Sequence, residues 1–419
     1  MLRDTLQGIR AIDFSHVVAG PVCGMMLGDL GADVVKVESL SGELGRAIGP
    51  PWVNGESVAS LSVNRNKRGL AIDLRDGAAR AAVMKMACGA DVILESFRPG
   101  VMQRLGLDYA AVHKLNPRVV YCSISAYGQT GPQRRMPGVD GVIQAVSGLM
   151  STLGPPGSAP SKVPVPIADM ATGYLATIAI LAALRRAEQT GRGQHIDVNL
   201  YNSTLMLQQV GLAFFLASGE EPVKSGSAAP YASPNEAFPT QDGWVMVAAY
   251  QPERWSRLCE LLQRPELKDD PRFASNSERV RNRVALNELL AESFKTQTTS
   301  VWMQQLEAGD ILCAPIASYG DVTRSLQYLH SGVETSVSHP VAGIVRMPGF
   351  ALGGADSSTA PHRPPPMVGE HSGEVLMEYG LTQAEVSSLV ARGMVGTASH
   401  LPLGQDTSKV PNHQTSATA

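Results

Sequence analysis

The sequence has few cysteines and no long run of apolar residues. Its five cysteines are odd in number, lie far apart and include no CxxC pair. This pattern argues against a disulfide framework or a zinc site and favours a reducing compartment. The longest uncharged apolar run, 170–184, is shorter than the roughly 20 residues that a membrane-spanning helix needs. Because the amino terminus also lacks the features of a signal or transit peptide, we expect a cytoplasmic protein, with a mitochondrial location left open.

An excess of charge of one sign is also absent. The chain carries 35 basic and 38 acidic residues, for a formal net charge of −3. A protein that binds a phosphate backbone usually has a basic excess, so we expect no nucleic-acid partner. At 44% hydrophobic and 17% charged residues, the composition is that of a folded core, and 419 residues suggest two or three structural units.

The common catalytic motifs are missing. The sequence contains no GxxxxGK[ST], GxGxxG, HExxH or GxSxG pattern, and its nine histidines show no metal-ligand spacing. ATP-dependent chemistry, metallohydrolysis and the common serine hydrolases therefore lose most of their support. If the protein is an enzyme, we expect it to use side chains and a soluble co-substrate, with no metal and no tightly bound cofactor.

The first half of the chain alternates between apolar strands and amphipathic helices. Such alternation predicts an α/β fold with a mostly parallel sheet, in which ligands bind beyond the carboxyl ends of the strands. The predicted strands are 8–14, 33–38, 69–74, 91–97, 118–125 and 195–200. The predicted helices are 21–31, 77–88, 100–115, 139–150 and 169–188.

Composition along the chain predicts its domain organisation. A large domain over 1–219 precedes a linker at 220–242, which is rich in Gly, Pro, Ser and Ala. The pattern at 243–325 indicates a small α+β domain. Residues 326–397, with a returning strand at 339–350 and two helices at 372–379 and 382–392, are expected to complete the large domain. The polar segment 398–419 has no periodicity and is predicted to be a disordered tail.

Asp169 is the first candidate for chemistry. It ends the loop SAPSKVPVPIAD and precedes an apolar helix, so its carboxylate is expected to meet the positive end of the helix dipole and stay ionised. An ionised, partly desolvated carboxylate can attack a thioester carbonyl. The spacing alone favours a plain N-cap aspartate, and both interpretations stay open at this point.

Basic residues of the first half form a second candidate cluster. Arginines at strand ends suit a phosphate-bearing ligand, whereas charge alone favours a solvated surface. The members are Arg65, Lys67, Arg68, Arg75, Arg98 and Arg104.

Seven segments taken together resemble the class III CoA-transferase family, which includes formyl-CoA:oxalate and carnitine CoA-transferases. Weaker matches follow at 234–263 and 363–395, and the segments GPPWVNGESVASLSVNRNKR, YGQTGP and RPPPMVGEH look closest to the succinyl-CoA-dependent transferases of glutarate, hydroxymethylglutarate or itaconate-like dicarboxylates. The seven segments, in order through 8–200, are FSHVVAGPVCGMMLGDLGADVVKVE, SVNRNKRGLAIDL, DVILESFRPGVMQRLGLDY, NPRVVYCSISAYGQTGP, DGVIQAVSGLM, IADMATG and TGRGQHIDVNL.

The resemblance implies a fold, a reaction and a set of site residues. The fold is an interlocked homodimer, in which a Rossmann-like large domain carries an inserted small domain. The reaction moves CoA from an acyl-CoA thioester, here the co-substrate, to a carboxylate, through aspartyl anhydride and aspartyl–CoA intermediates on Asp169. Val18 and Asp140 match positions at the acyl end. The positions that match CoA contacts are Val17, Ile72, Arg75, Phe97 and Arg104.

The sequence departs from the family at three places. Val139 stands where many members have tyrosine, 226–236 lacks the glycine run of a lid loop, and Pro137 replaces a CoA-contacting lysine for which Arg134 or Arg135 is a candidate substitute. An α-methylacyl-CoA racemase shares this fold, but the resembling racemases have histidine at the Val139 position, and valine cannot transfer protons. A catalytically silent acyl-CoA-binding protein is the third reading.

Overall fold

A computed structural model of the protein describes residues 2–352 and 363–398. The chain divides into two compact units: Met1–Ser147, Pro164–Gln209 and Gly332–Ala419 form unit 1, and Gly148–Val163 with Val210–Ser331 form unit 2. All but the first residue of the predicted tail, 398–419, lies outside the described residues. The predicted boundaries at 219, 242 and 325 stay predictions.

The described strands, in chain order, are β1 (Arg10–Phe14), β2 (Asp33–Glu38), β3 (Trp52–Val53), β4 (Glu56–Ser57), β5 (Lys67–Ile72), β6 (Val92–Glu95), β7 (Val120–Ser125), β8 (Gln194–Asn199), β9 (Asn235–Pro239), β10 (Trp244–Ala248), β11 (Leu312–Pro315), β12 (Glu334–His339), β13 (Gly343–Pro348) and β14 (Val395–Gly396).

The described α-helices are α1 (Ala19–Asp29), α2 (Val58–Ser62), α3 (Gly77–Cys88), α4 (Val101–Leu105), α5 (Tyr109–Leu115), α6 (Asp140–Val146), α7 (Leu149–Thr152), α8 (Ile167–Thr190), α9 (Leu200–Leu207), α10 (Gln209–Ser218), α11 (Pro252–Leu261), α12 (Glu266–Asp269), α13 (Asn276–Arg281), α14 (Arg283–Phe294), α15 (Thr299–Ala308), α16 (Tyr319–Arg324), α17 (Leu326–Ser331), α18 (Ser372–Glu378) and α19 (Gln383–Ala391).

Unit 1 contains a seven-stranded sheet in the order β14-β5-β2-β1-β6-β7-β8. All neighbours pair in parallel except β14, which runs antiparallel to β5 at the edge. The prediction of an α/β fold with a mostly parallel sheet is confirmed. Successive strands extend outward from β1 on one side and from β6 on the other, so the strand order reverses between β1 and β6. This is the doubly wound order, and its switch point is where ligands bind.

Two hydrophobic cores cover the faces of this sheet, because successive strand residues point to opposite sides. Ile12 and Phe14 of β1 belong to one core and Ala11 to the other. Helix α8, by length and composition, could cross a membrane. In the structure it is a core helix, since its Ala176 and Ile180 pack in the same core as Ala11.

Glycines in the left-handed conformation divide two of the predicted helices. The segment predicted as one helix over 100–115 is split at Gly106, where φ is 70°. The helix predicted over 139–150 is split at Gly148, where φ is 84°. Glycine adopts these angles without a steric penalty and commonly ends a helix, whereas apolar periodicity continues across the break.

The prediction of one returning strand at 339–350 is wrong. The structure has an antiparallel hairpin there, formed by β12 and β13, because the chain reverses at 340–342 before the second half of the segment. The return to the main sheet is made by β14 instead, after helices α18 and α19 at the two predicted places.

Unit 2 has a three-stranded antiparallel sheet in the order β11-β10-β9. Strand β9 lies within the segment 220–242 that was predicted as a linker. The core of this unit is built around Phe238, Phe294 and Trp302, with Phe238 stacked on Phe294 and Trp302 edge-on to Phe294. Helix α10 is apolar, yet none of its residues is buried.

Candidate active site

The turns that leave β1 and β6 meet at the switch point of the sheet. His16 and Val17 follow β1, and Ser96 and Phe97 follow β6. The two turns are tied together, because His16 N–H donates to Ser96 Oγ at 3.1 Å and the His16 ring lies 5.2 Å from the Phe97 ring. Residues that are far apart in sequence thus form one edge at the carboxyl ends of the parallel strands.

A pocket of about 540 Å³ opens at this edge and contains Asp169. We call it the Asp169 pocket. Val17 and Val18 line it from the β1–α1 turn, and Phe97 lines it from the turn after β6. Much of the remaining lining is apolar, while Arg98 and Arg134 bring positive charge to it.

Asp169 is the third residue of α8, not its N-cap. The N-cap is Pro166, which provides no side-chain hydrogen bond. The first turn is capped from another element, because Asp140 Oδ2 accepts the N–H of Ala168 at 2.8 Å. Gln144 Nε2 donates to the other oxygen of Asp140 at 2.6 Å.

The ionisation state of Asp169 differs from the sequence-based expectation. Burial, together with the nearby negative charge of Asp140, raises the pKa of Asp169 to about 7. Burial therefore acts against the ionised form that the helix start was predicted to favour. A carboxyl group with a pKa near neutrality exchanges its proton readily at neutral pH, and its ionised form can act as a nucleophile.

Gly173 allows the helix that carries Asp169 to approach α1 closely. A Cβ at Gly173 would lie 2.7 Å from the backbone oxygen of Ala19 and 2.9 Å from the side chain of Val22. Asp169 is one helical turn before Gly173 and therefore lies on the same side of α8. This contact brings the carboxyl group to the start of α1, where Val18 and Ala19 line the pocket.

A second pocket, of about 880 Å³, adjoins the first. We call it the Arg75 pocket. It is lined by Ile72 at the end of β5 and by Arg75 just beyond it. His16, Leu44 and Phe97 line both pockets, so a ligand that occupies both must pass these three residues.

The structure brings most of the predicted site residues to these two pockets. Val17, Val18, Phe97 and Asp169 meet in the Asp169 pocket, and Ile72, Arg75 and Phe97 meet in the Arg75 pocket. Two predicted residues lie elsewhere. Arg104 is exposed on α4, beside the pocket-lining Leu105. Asp140 is buried and holds the start of α8 through Ala168.

Half of the predicted basic cluster has a structural role. Arg65 donates to Asp29 at 2.9 Å, Lys67 to Asp13 at 2.9 Å and Arg68 to Asp33 at 2.6 Å. The three cationic side chains are buried, so for these residues the structure shows neither the favoured solvated surface nor a phosphate contact. Each would otherwise be a charge buried without a partner, which is very unfavourable. Arg75 is 89% exposed and paired with Asp73.

Sequence reasoning missed His16, which lines both pockets, and Glu95, which supports the turn that carries Phe97. Burial lowers the pKa of His16, which favours a neutral imidazole at the junction of the two pockets. Glu95 accepts the N–H of Phe97 at 2.9 Å, and burial raises the pKa of Glu95 to about 7. His16 could have been found from its position directly before Val17. Glu95 could not, because its role depends on contacts that the spacing of residues does not show.

Comparisons with known proteins agree with this geometry. Residues 6–372 match the family described as CoA-transferase family III. The chain is 36% identical to a mouse protein named succinyl-CoA:glutarate CoA-transferase, over 93% of this chain and 90% of the relative. It is 35% identical to succinate–glutarate CoA-transferase of Agrobacterium fabrum, over 89% and 95%. A crystal structure of a CAIB/BAIF family protein from Brucella suis superimposes with a TM-score of 0.80 at 33% identity, covering 89% of this chain and 99% of that one.

Proposed function

The chain belongs to CoA-transferase family III, and we propose that it transfers CoA from succinyl-CoA to a small dicarboxylate such as glutarate. The observation that carries the proposal is the half-buried Asp169 carboxyl group in a pocket that adjoins the Arg75 pocket at the switch point of the sheet. The names of the mouse and Agrobacterium relatives support the choice of acids.

The reaction begins with attack of the Asp169 carboxylate on the thioester carbonyl of the donor. The C–S bond breaks, a mixed anhydride forms and CoA leaves as a thiolate. The thiolate then attacks the aspartyl carbonyl, which gives an aspartyl–CoA thioester and releases the donor acid. The acceptor carboxylate attacks this thioester, and the same two steps in reverse produce the new acyl-CoA and free Asp169. One thioester is exchanged for another, so the atoms balance without a further reactant.

The two pockets suggest how the substrate is held. The nucleotide end of CoA occupies the Arg75 pocket, beside Ile72 and Arg75. The chain that carries sulfur passes Phe97 and Val17 toward Asp169. The N-cap residue of α1 provides no side-chain hydrogen bond to the first turn. Backbone N–H groups at this helix start can therefore donate to a developing oxyanion, and donors of this kind stabilise such a charge.

The acyl end of the site fits a short dicarboxylate. Val18 and Val139 line an apolar part of the Asp169 pocket, where a short carbon chain can lie. Arg98 and Arg134 line the same pocket and can pair with the distal carboxylate, which a monocarboxylate lacks. Asp140 acts here indirectly, by capping the helix turn that carries Asp169.

We expect turnover to need both a CoA thioester and a free acid. Purified protein incubated with ¹⁴C-succinyl-CoA and a panel of acids should give glutaryl-CoA faster than acetyl-CoA or butyryl-CoA, with one free succinate per product. A monocarboxylate that accepts CoA as fast as glutarate contradicts the dicarboxylate assignment. Exchange of an α-proton in deuterated water without any acceptor acid would instead indicate a racemase, and binding without turnover a silent acyl-CoA-binding protein.

The exposed apolar helix α10 supports a homodimer, and an inserted small domain is supported by the division of the chain, in which unit 2 interrupts unit 1. Phe214 is 50% exposed and Leu216 is 75% exposed, and a continuous apolar patch of this kind commonly marks a protein interface. The interlocked arrangement of the family would cover this face with a second copy of the chain.

A cytoplasmic location stays a prediction.

We expect light scattering to give twice the 44.4 kDa of one chain. Phe214→Asp combined with Leu216→Asp should weaken the dimer, because each apolar side chain contributes roughly 2 kcal/mol on burial. Ser218→Asp, at the end of the same helix, is the control for added charge. A parent protein that stays monomeric at assay concentration, or a double variant that refolds to a dimer with the parental melting temperature, contradicts the α10 interface.

A further inference from the structure

The turn between β1 and α1 contains an unusual backbone conformation. Val17 has a φ of 68°, in the left-handed region that glycine prefers. For a β-branched residue this region is sterically unfavourable and is a true outlier. Such a conformation persists only where surrounding contacts hold it, and it commonly occurs at functional sites.

The side chain of Glu43 makes the contact that holds this turn. Its Oε2 accepts the N–H of Val17 at 3.1 Å and the N–H of Gly45 at 2.6 Å. The first bond fastens the turn after β1, and the second fastens the short helical segment Leu44–Ala47. A single carboxylate oxygen therefore joins two segments that are 26 residues apart.

The other carboxylate oxygen faces a buried cation. Glu43 Oε1 lies 3.7 Å from Lys36 Nζ, and the exposed fraction of the Glu43 side chain is only 7%. Lys36 also donates to the backbone oxygen of Ser15 at 3.1 Å, on the same turn as Val17. The two N–H groups are the hydrogen-bond donors that fix the carboxylate, whereas the ammonium, at 3.7 Å, interacts with it through charge without a hydrogen bond.

The two segments that Glu43 joins supply the wall that the two pockets share. His16 precedes Val17, Leu44 follows Glu43, and both line the Asp169 pocket and the Arg75 pocket. A movement of either segment would change the width of the passage between the pockets. That passage is where a CoA chain would lie.

We propose that Glu43 is a positioning residue for the CoA thioester. By its reach it holds Val17 in the left-handed conformation and fixes the segment that begins at Leu44, and so keeps the passage between the pockets open. This inference rests on the proposed function, since it assigns the CoA chain to that passage. Glu43 touches no reacting atom and acts through Val17 and Leu44.

Two conservative variants separate the reach of Glu43 from its charge. Glu43→Asp keeps the charge and can still cap Gly45, since aspartate readily accepts an N–H two residues on, but its shorter side chain falls short of Val17. Glu43→Gln loses the charge but keeps an oxygen within reach of both N–H groups. We expect Glu43→Asp to raise KM for succinyl-CoA about tenfold, the usual size of a lost hydrogen bond to a charged group, with kcat within about threefold. Glu43→Gln should keep KM within about threefold of the parent.

Asp29→Asn is the matched control. Asp29 is a buried carboxylate paired with Arg65 at the other end of α1, so this variant should lower the melting temperature and leave KM unchanged. A Glu43→Gln variant with a tenfold higher KM, or a Glu43→Asp variant with the parental KM, overturns the proposal. The Glu43→Gln result can do so alone if Glu43→Asp does not fold. A parent protein that neither binds CoA in calorimetry nor transfers it refutes the proposed function instead.

Discussion

Asp169→Ala is expected to lower the rate of CoA transfer by about 10⁴-fold or more while CoA still binds, since loss of a covalent nucleophile removes the whole reaction path. The structure gives the reason why transfer should be lost while CoA binding and the fold are retained. The Asp169 carboxyl group lies in its pocket without a hydrogen-bond partner among the described residues, and burial and Asp140 account for its raised pKa. Its removal therefore breaks no structural contact.

The measurement combines kinetics with trapping of the intermediate. Parent protein quenched during turnover should show, by mass spectrometry, CoA joined to the peptide that contains Asp169, and hydroxylamine should remove it. Asp169→Asn should give no adduct. Desolvation makes the ionised Asp169 carboxylate unfavourable in the folded protein. At pH 8 the free energy of unfolding of Asp169→Asn should therefore exceed that of the parent by at least about 1 kcal/mol. A variant that turns over at the parental rate would exclude the covalent mechanism.

The pKa of Asp169 also determines how the parent responds to pH. Attack needs the ionised carboxylate, and the pKa of about 7 places half-ionisation near neutrality. The transfer rate should therefore rise with pH through about 7 and then level off, falling about tenfold for each pH unit below. If Asp169 had the ordinary aspartate pKa, the rate would fall only below about pH 4. The pH at which the rate begins to fall therefore distinguishes a raised pKa from an ordinary one.

Asp13→Ala is expected to lower the free energy of unfolding by about 3–5 kcal/mol, the usual cost of removing one partner of a buried ion pair. The Asp13 and Lys67 side chains are 1% and 0% exposed, and their charged atoms are 2.9 Å apart. Lys67 also donates to the backbone oxygen of Pro21 and to Asn64 Oδ1, both at 2.8 Å. Without Asp13, the ammonium is buried with neutral acceptors only.

Urea unfolding followed by circular dichroism measures this loss directly. Glu188→Ala is the control, because it removes an exposed ion pair with Arg185 on α8 and should cost only about 0.5 kcal/mol. If Asp13→Ala unfolds at the same urea concentration as Glu188→Ala, the pair contributes nothing beyond a surface contact, and the interpretation of the buried cluster is wrong.

Elements with strong apolar patterns were predictable from the sequence. Strand β2 at 33–38 and helix α3 at 77–88 have the predicted bounds, since a buried strand or an amphipathic helix shows in the order of its own residues. The split at Gly106 was not predicted, because apolar periodicity crosses it. The prediction of Asp169 as the nucleophile depends on the resemblance, and its place at the third helical position required the structure.

The sequence by itself determined the alternation of strands and helices, and hence the parallel sheet and the edge where a ligand is predicted to bind. Only the tertiary structure decided which charged side chains form buried ion pairs and which line the pockets. Lys67 is neutralised by Asp13, 54 residues away, and Val17 is held by Glu43, which follows it in another segment. Ionisation and backbone strain depend on water and neighbours in space, and the neighbours of a residue are known only once the chain has folded.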